Sequence, residues 1–113
     1  MGMKAGDVVR WAFVQGDGQR KYRPAILVAS VPPFNDWLVC AVSTQVQREV
    51  AGLDVRIDER HPDYAHMGLR FPSLIRVAQL TTLPERVIEG SIGEVSGTTL
   101  DTIKARLSRW LKE

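Results

Sequence analysis

The chain has 113 residues, of which 44% are apolar and 25% charged, with a formal net charge of +2. That length and balance fit one compact domain over residues 1–113 and exclude a disordered chain. No apolar run reaches the length of a membrane helix, and Met1–Asp7 carries no signal region, so a soluble cytoplasmic protein is expected. The lone cysteine, Cys40, excludes an intrachain disulfide and reads as a buried thiol within an apolar strand. The mildly basic charge permits a polyanionic partner without requiring one.

In chain order, Gly6–Phe13 reads as a strand with Val9, Trp11 and Phe13 on one face and Val8, Arg10 and Ala12 on the other. Gln15–Tyr22 breaks the pattern with two glycines and an aspartate, which predicts a solvated loop. The domain is centred on two apolar runs, Arg23–Ser30 and Asp36–Gln45, read as strands buried on both faces. Pro24 is tolerated at the start of the first, where no ladder donor is needed. Val31–Asp36 forms a rigid turn between them.

Beyond Gln45 the chain is polar and irregular until Leu53–Ile57, a half-exposed strand. Asp58–Gly68 has the weakest pattern and room for one helical turn ending at Gly68, which suits a C-cap. Phe71–Ala78 is the next strand, interrupted by Arg76. Gln79–Pro84 then leads into a short strand or turn around Val87 and Ile88. Leu100, Ile103, Leu107, Trp110 and Leu111 fall on one face of a C-terminal amphipathic helix, with Ser96 as N-cap. The sum is a mainly β domain of five to seven short strands with one terminal helix.

Several chemistries are excluded. There is no phosphate loop and no dinucleotide fingerprint, and one cysteine with two histidines cannot make a structural zinc site. His61 and His66, near Asp58, Glu59 and Asp63, read as a solvated loop rather than a metal site, so no cofactor is expected. Ser43 has no nucleophile elbow around it. Trp11, Trp37, Trp110 and Met67 are assigned to packing. The polar groups at the strand ends, Arg23 on one run and Ser43, Thr44 and Gln45 on the other, are where chemistry could sit. Arg20 and Lys21 beside Tyr22 combine phosphate contact with base stacking, as single-stranded nucleic acid requires. Arg76 faces opposite to Ile75 and Val77, as an inward polar group or an edge-strand charge.

Gly6–Val9, Arg23–Val28, Ala41–Gln45 and Gly68–Val77, in that order and followed by Gln79 and Ile92–Ser96, resemble the MazF/PemK family of toxins from type II toxin–antitoxin pairs. The similarity runs from Gly6 to about Leu111. It implies a small SH3-like barrel, a homodimer, neutralisation by a cognate antitoxin, and metal-independent, sequence-selective cleavage of single-stranded RNA. By resemblance Arg23 carries catalysis together with Ser43, which stands where the family has a threonine, and with Thr44 beside it. Another branch uses an arginine and an aspartate on the later strand with a histidine in the first loop. Arg76 matches that arginine, but Ala78 replaces the aspartate and the histidine is missing, with Asp17 near its place. Gln45 and Gln79, with Arg20, Lys21 and Tyr22, are the candidate RNA contacts.

The implied chemistry suits these residue types. RNA carries its own nucleophile in the 2′-hydroxyl, so an enzyme must align it and stabilise charge on the phosphate. A guanidinium gives bidentate contact to phosphate and stays charged, and a hydroxyl donates without adding charge. Two other functions are open to this fold: a CcdB-like toxin binding DNA gyrase, and a non-catalytic SH3-like binding module. The Arg-Pro and Ser-Thr-Gln motifs favour the ribonuclease.

Overall fold

Ala25, Ile26, Leu27 and Val28 are all buried, as an apolar run without alternation demands when both faces of a strand are covered. They lie in β2 (Arg20–Val31), which joins β1 (Asp7–Val14), β3 (Asp36–Ser43), β4 (Val55–Ile57), β5 (Ser73–Pro84) and β6 (Ile88–Glu94) ahead of helix α1 (Gly97–Leu111). This computed structural model describes residues 2–113, with Phe13 as backbone alone. The face predicted for the Phe13 side chain therefore lies outside the described residues. The strands form one antiparallel sheet in the order β4-β5-β3-β2-β1-β6. The chain is mainly β, as the sequence predicts.

Several strand ends differ from expectation, with β4 starting at Val55, β5 at Ser73 and β6 running on to Glu94, and two further differences are set by register. β2 begins at Arg20, pairing Arg20, Lys21 and Tyr22 with Val14, Phe13 and Ala12, so the first loop is only Gln15–Gln19. The basic residues Arg20 and Lys21 therefore sit on a strand ladder rather than in a mobile loop. β5 runs on to Pro84 because its register against β3 shifts between Cys40–Leu80 and Ala41–Arg76. The intervening Val77, Ala78 and Gln79 form a bulge, which bends the strand and tightens its twist. The sequence pattern breaks at Ala78 for that reason, while the ladder resumes beyond it.

The principal extents of 31, 31 and 30 Å require the sheet to coil on itself, since a flat six-stranded sheet with one helix would be a slab. Coiling gives two apolar clusters. One, containing Ile26, Cys40, Val42, Ile75 and Val77, lies under α1 and takes in its Ile103 and Leu107. The other, on the opposite face, holds Val9, Ala25, Leu27, Val39, Leu83 and Ile88, with Trp11 and Trp37 packed against it.

Ser96 caps α1 as predicted, its Oγ accepting from the Thr99 N–H at 3.2 Å. The apolar face is shorter than expected, because the last turn overhangs the sheet. Trp110 is 41% exposed and Leu111 65%, so Trp110 is not a core residue.

The irregular segment between β4 and β5 holds a 3-10 turn at Tyr64–His66 and crosses close against β6. A Cβ on Gly93 would stand 2.5 Å from the Met67 carbonyl carbon, and one on Gly68 3.0 Å from that of Ile92. Gly68 also has φ +71°, so glycine is required there on both counts. Asp63, buried in this segment, accepts from the Ser96 N–H at 2.9 Å and from its hydroxyl at 3.0 Å. That bond ties the segment to the start of α1.

Candidate functional site: a cationic groove at the end of β3

Strand β3 ends at Ser43, paired with Leu74 of β5, and lies between β2 and β5. Two residues beyond the Ala25–Ala41 pair on each strand stand Arg23 and Ser43. An open groove of about 670 Å3 is lined here by Arg23, Ser43, Thr44 and Gln45, together with Lys21 and Tyr22. Six of the nine residues singled out in the sequence thus share one concave surface.

The Ser43 hydroxyl is fixed by the turn that follows it, its Oγ accepting from the Gln45 N–H at 3.1 Å. That leaves the hydroxyl proton available for an outside acceptor. Thr44 and Gln45 are exposed, and the chain then enters a 3-10 turn at Val46–Arg48. Arg23 is exposed too. By strand alternation it projects to the face opposite Tyr22 and Pro24, so the groove takes lining from both faces of the strand.

The groove's charge is one-sided. Arg10, Lys21, Arg23 and Arg70 line it, and among the described residues no carboxylate does, although the whole chain has 15 lysines and arginines against 13 acidic residues. A site of this sign attracts an anion well beyond what the small net charge suggests. Arg10 and Arg70 escaped the sequence reading, as did Phe71, which is 64% exposed on the groove. The signal for Arg10 was present, since it breaks the apolar run between Val9 and Trp11. Its partner is explained by register: Arg10 pairs with Pro24 and Ala12 with Tyr22. Arg10 and Tyr22 are then diagonal neighbours on one face, and the guanidinium carbon lies 4.8 Å from the Tyr22 ring centre, a cation–π distance. Arg70 and Phe71 stand in an irregular segment with no periodicity to orient them.

Three predicted residues lie outside the groove. Arg20 is opposite Val14 at the far end of the β1–β2 ladder. Gln79 is exposed on the β5 bulge. Arg76 is turned toward a buried carboxylate, its Nε 3.3 Å from Asp54 Oδ2. This contact is too bent for a hydrogen bond, so attraction between charges carries it. The same Asp54 oxygen accepts from the Val50 N–H at 2.9 Å. From α1, Arg106 donates to the Asp54 carbonyl and Arg109 to the Gly52 carbonyl at 2.7 Å. Three arginines thereby hold the loop that leaves the groove after Gln45.

Cys40 and Asp63 are buried titratable groups away from the groove. Burial pushes the Cys40 thiol up to about 12. For Asp63, burial works to raise the pKa, but hydrogen bonds from Thr99 and Ser96 and the nearby His61 hold the carboxyl below its usual value. His61 itself accepts from the Asp63 N–H at Nδ1, at 3.0 Å. Among the described residues no group of three or more His, Cys, Asp or Glu side chains is placed to hold a metal ion, and no helix is long and apolar enough to cross a membrane.

Comparison with known proteins adds a family and a fold. A family model described as the PemK-like, MazF-like toxin of type II toxin–antitoxin systems matches residues 4–111. The structure is similar to MazE–MazF from Deinococcus radiodurans, with a TM-score of 0.74, 19% identity, and coverage of 97% of this chain and 96% of that one. It is also similar to an endoribonuclease in complex with its cognate antitoxin from a mycobacterial species, with a TM-score of 0.72, 18% identity, and 98% and 96% coverage. The Mycobacterium tuberculosis toxin MazF-mt6 follows with 0.69, 18%, and 94% and 96%. At such identities the likeness speaks for the fold, and it agrees with the small barrel expected from sequence. No curated protein sequence matches the chain.

Proposed function

This chain belongs to the PemK-like, MazF-like toxins of type II toxin–antitoxin systems, and from that membership we propose that it is a metal-independent endoribonuclease cutting single-stranded RNA. The observation that carries the reading is the groove itself: among the described residues it has four cations, no carboxylate, and the Ser43 and Thr44 hydroxyls beside Arg23. The absence of lining acids disfavours a cationic ligand, and the hydroxyls add neutral donors for phosphate oxygens.

In the proposed reaction the 2′-oxygen gives up its proton to solvent and attacks the adjacent phosphorus, the bond to the 5′-oxygen breaks, that oxygen takes up a proton from solvent, and a 2′,3′-cyclic phosphate and a 5′-hydroxyl result. Charge builds on the non-bridging oxygens in the transition state. Arg23 neutralises it through its planar fork, and Ser43, held by the Gln45 amide, donates a hydrogen bond to one oxygen. Thr44 is the second hydroxyl at the same place. Lys21, Arg10 and Arg70 carry neighbouring phosphates, and Gln45 offers an amide to a base edge. Arg20 and Gln79 are contacts for RNA running beyond the groove. Arg76 acts at one remove, through Asp54, on the loop after Gln45.

We assign residues 1–113 to one toxin domain, working as a homodimer in the cytoplasm. The natural inhibitor is an antitoxin whose acidic, disordered segment folds over the cationic groove and excludes RNA. Such a peptide competes with RNA; simultaneous binding without loss of cleavage contradicts this assignment.

The test is cleavage of a mixed RNA pool in excess chelator. The wild-type protein is expected to cut, and Ser43→Ala to slow cutting about 10²–10³-fold, the usual effect of removing one preorganised donor. Arg23→Ala should slow it at least as much. Absence of cleavage in every RNA pool favours a gyrase-binding toxin or an inactive binding module.

A further inference from the structure

Two large rings stand in solvent on a groove that is otherwise polar and basic. Phe71 is 64% exposed and Tyr22 46%. Isolated exposed apolar residues are ordinary, but these two are held in place. Ser73, itself buried, donates its hydroxyl to the Phe71 carbonyl at 2.8 Å and so fixes the turn that presents the phenyl ring. Arg10 lies over one face of the Tyr22 ring, and the residue is still nearly half exposed. The sheet order sets β3 between β2 and β5, so Tyr22 on β2 and Phe71 ahead of β5 flank the end of β3 that carries Ser43 and Thr44.

We infer that Tyr22 and Phe71 are stacking platforms for unpaired nucleobases on either side of the Ser43–Thr44 hydroxyls. The inference rests on the ribonuclease reading and deepens it. Phosphate contacts to Arg10, Lys21, Arg23 and Arg70 position a strand without reading it, whereas a base laid flat on a ring holds its nucleotide's sugar and so aligns the 2′-oxygen. Bases within a duplex have both faces covered by neighbours. The two rings therefore select single strands, a choice that cations alone cannot make.

The experiment measures binding of the full chain to 2′-O-methyl oligoadenylate, which has no free 2′-hydroxyl, and to a strand of equal length and phosphate count without bases. Stacking predicts that the wild-type protein prefers the base-bearing strand by about 5- to 150-fold for each base engaged. Phe71→Leu, which keeps apolar bulk, and Tyr22→Leu should each remove most of one such factor. Affinity for the abasic strand should stay unchanged, and log affinity should fall with log salt at a slope of about −3, from four cations at roughly −0.7 each. Equal binding of the two strands, with the salt slope intact, overturns the stacking platforms and leaves the phosphate groove standing. Variants that weaken both strands equally also overturn it, since the rings would then serve structure. Binding of neither strand at low salt overturns this inference and the ribonuclease reading together.

Discussion

Replacing Asp63 with alanine probes the bond that ties the irregular segment to the cap of α1. The carboxylate accepts two hydrogen bonds from Ser96, at 2.9 and 3.0 Å, and Asp63 is only 5% exposed. A hydrogen bond to a charged group contributes about 1.5–3 kcal/mol. The two share one acceptor oxygen, and water can partly satisfy Ser96 once Asp63 is gone, so the expected loss is about 2–4 kcal/mol. Asp63→Asn, which keeps an oxygen but no charge, should lose about half as much. The sign of the pH dependence follows from the lowered pKa. Because the folded value lies below the unfolded one, the stabilisation is full above about pH 4 and disappears as pH falls through the folded value. Urea denaturation of wild type and Asp63→Ala at about pH 7, 5 and 3 reads this directly: the stability gap is constant between the first two and narrows at the third. A loss under about 1 kcal/mol at neutral pH, or a gap that persists in acid, refutes the reasoning.

Other outcomes follow from packing and charge. Gly93→Ala places a methyl against backbone that cannot give way and should cost about 3 kcal/mol by denaturation; a neutral result means the crossing with Met67 is looser than described. Cys40, with its thiol pushed up to about 12, should resist thiol reagents in the native protein and react at unfolding-limited rates; prompt native labelling contradicts its burial. Arg76→Ala leaves the Asp54 carboxylate buried without its counter-charge and should cost about 3 kcal/mol, part of which Asp54→Asn restores in the double variant. Loss of cleavage at unchanged stability would instead place Arg76 on the substrate.

The legible part of the fold was the part set by short-range pattern. The unbroken apolar runs of β2 and β3 gave the two-sided core, and the spacing of Ile103 and Leu107 with Ser96 ahead gave α1. What failed has a physical cause. Lys21 and Tyr22 are polar and exposed yet strand-paired, because a ladder constrains the backbone and is indifferent to side chains that face solvent. The β5 bulge hid the continuation to Pro84 because three unmatched residues, an odd number, flip the alternation on which strand reading depends. Trp110 fits the helical period, but no sheet lies beneath the last turn. At the site, Arg23 and Ser43 were marked by polar residues ending apolar strands. Arg70 and Phe71 had no period, and Arg10 gained its meaning only from the diagonal neighbour that the register supplies.

The most direct test of the central claim uses one RNA that the protein cuts and the same strand with a single 2′-deoxy nucleotide on the 5′ side of the scissile phosphate. The account predicts that the all-ribose strand yields a 2′,3′-cyclic phosphate in the presence of chelator and that the substituted strand is not cut at that bond. Cleavage of the deoxy-substituted bond, or a product bearing a 5′-phosphate, would mean that water rather than the RNA's own hydroxyl is the nucleophile. It would contradict the chemistry assigned to Arg23 and Ser43.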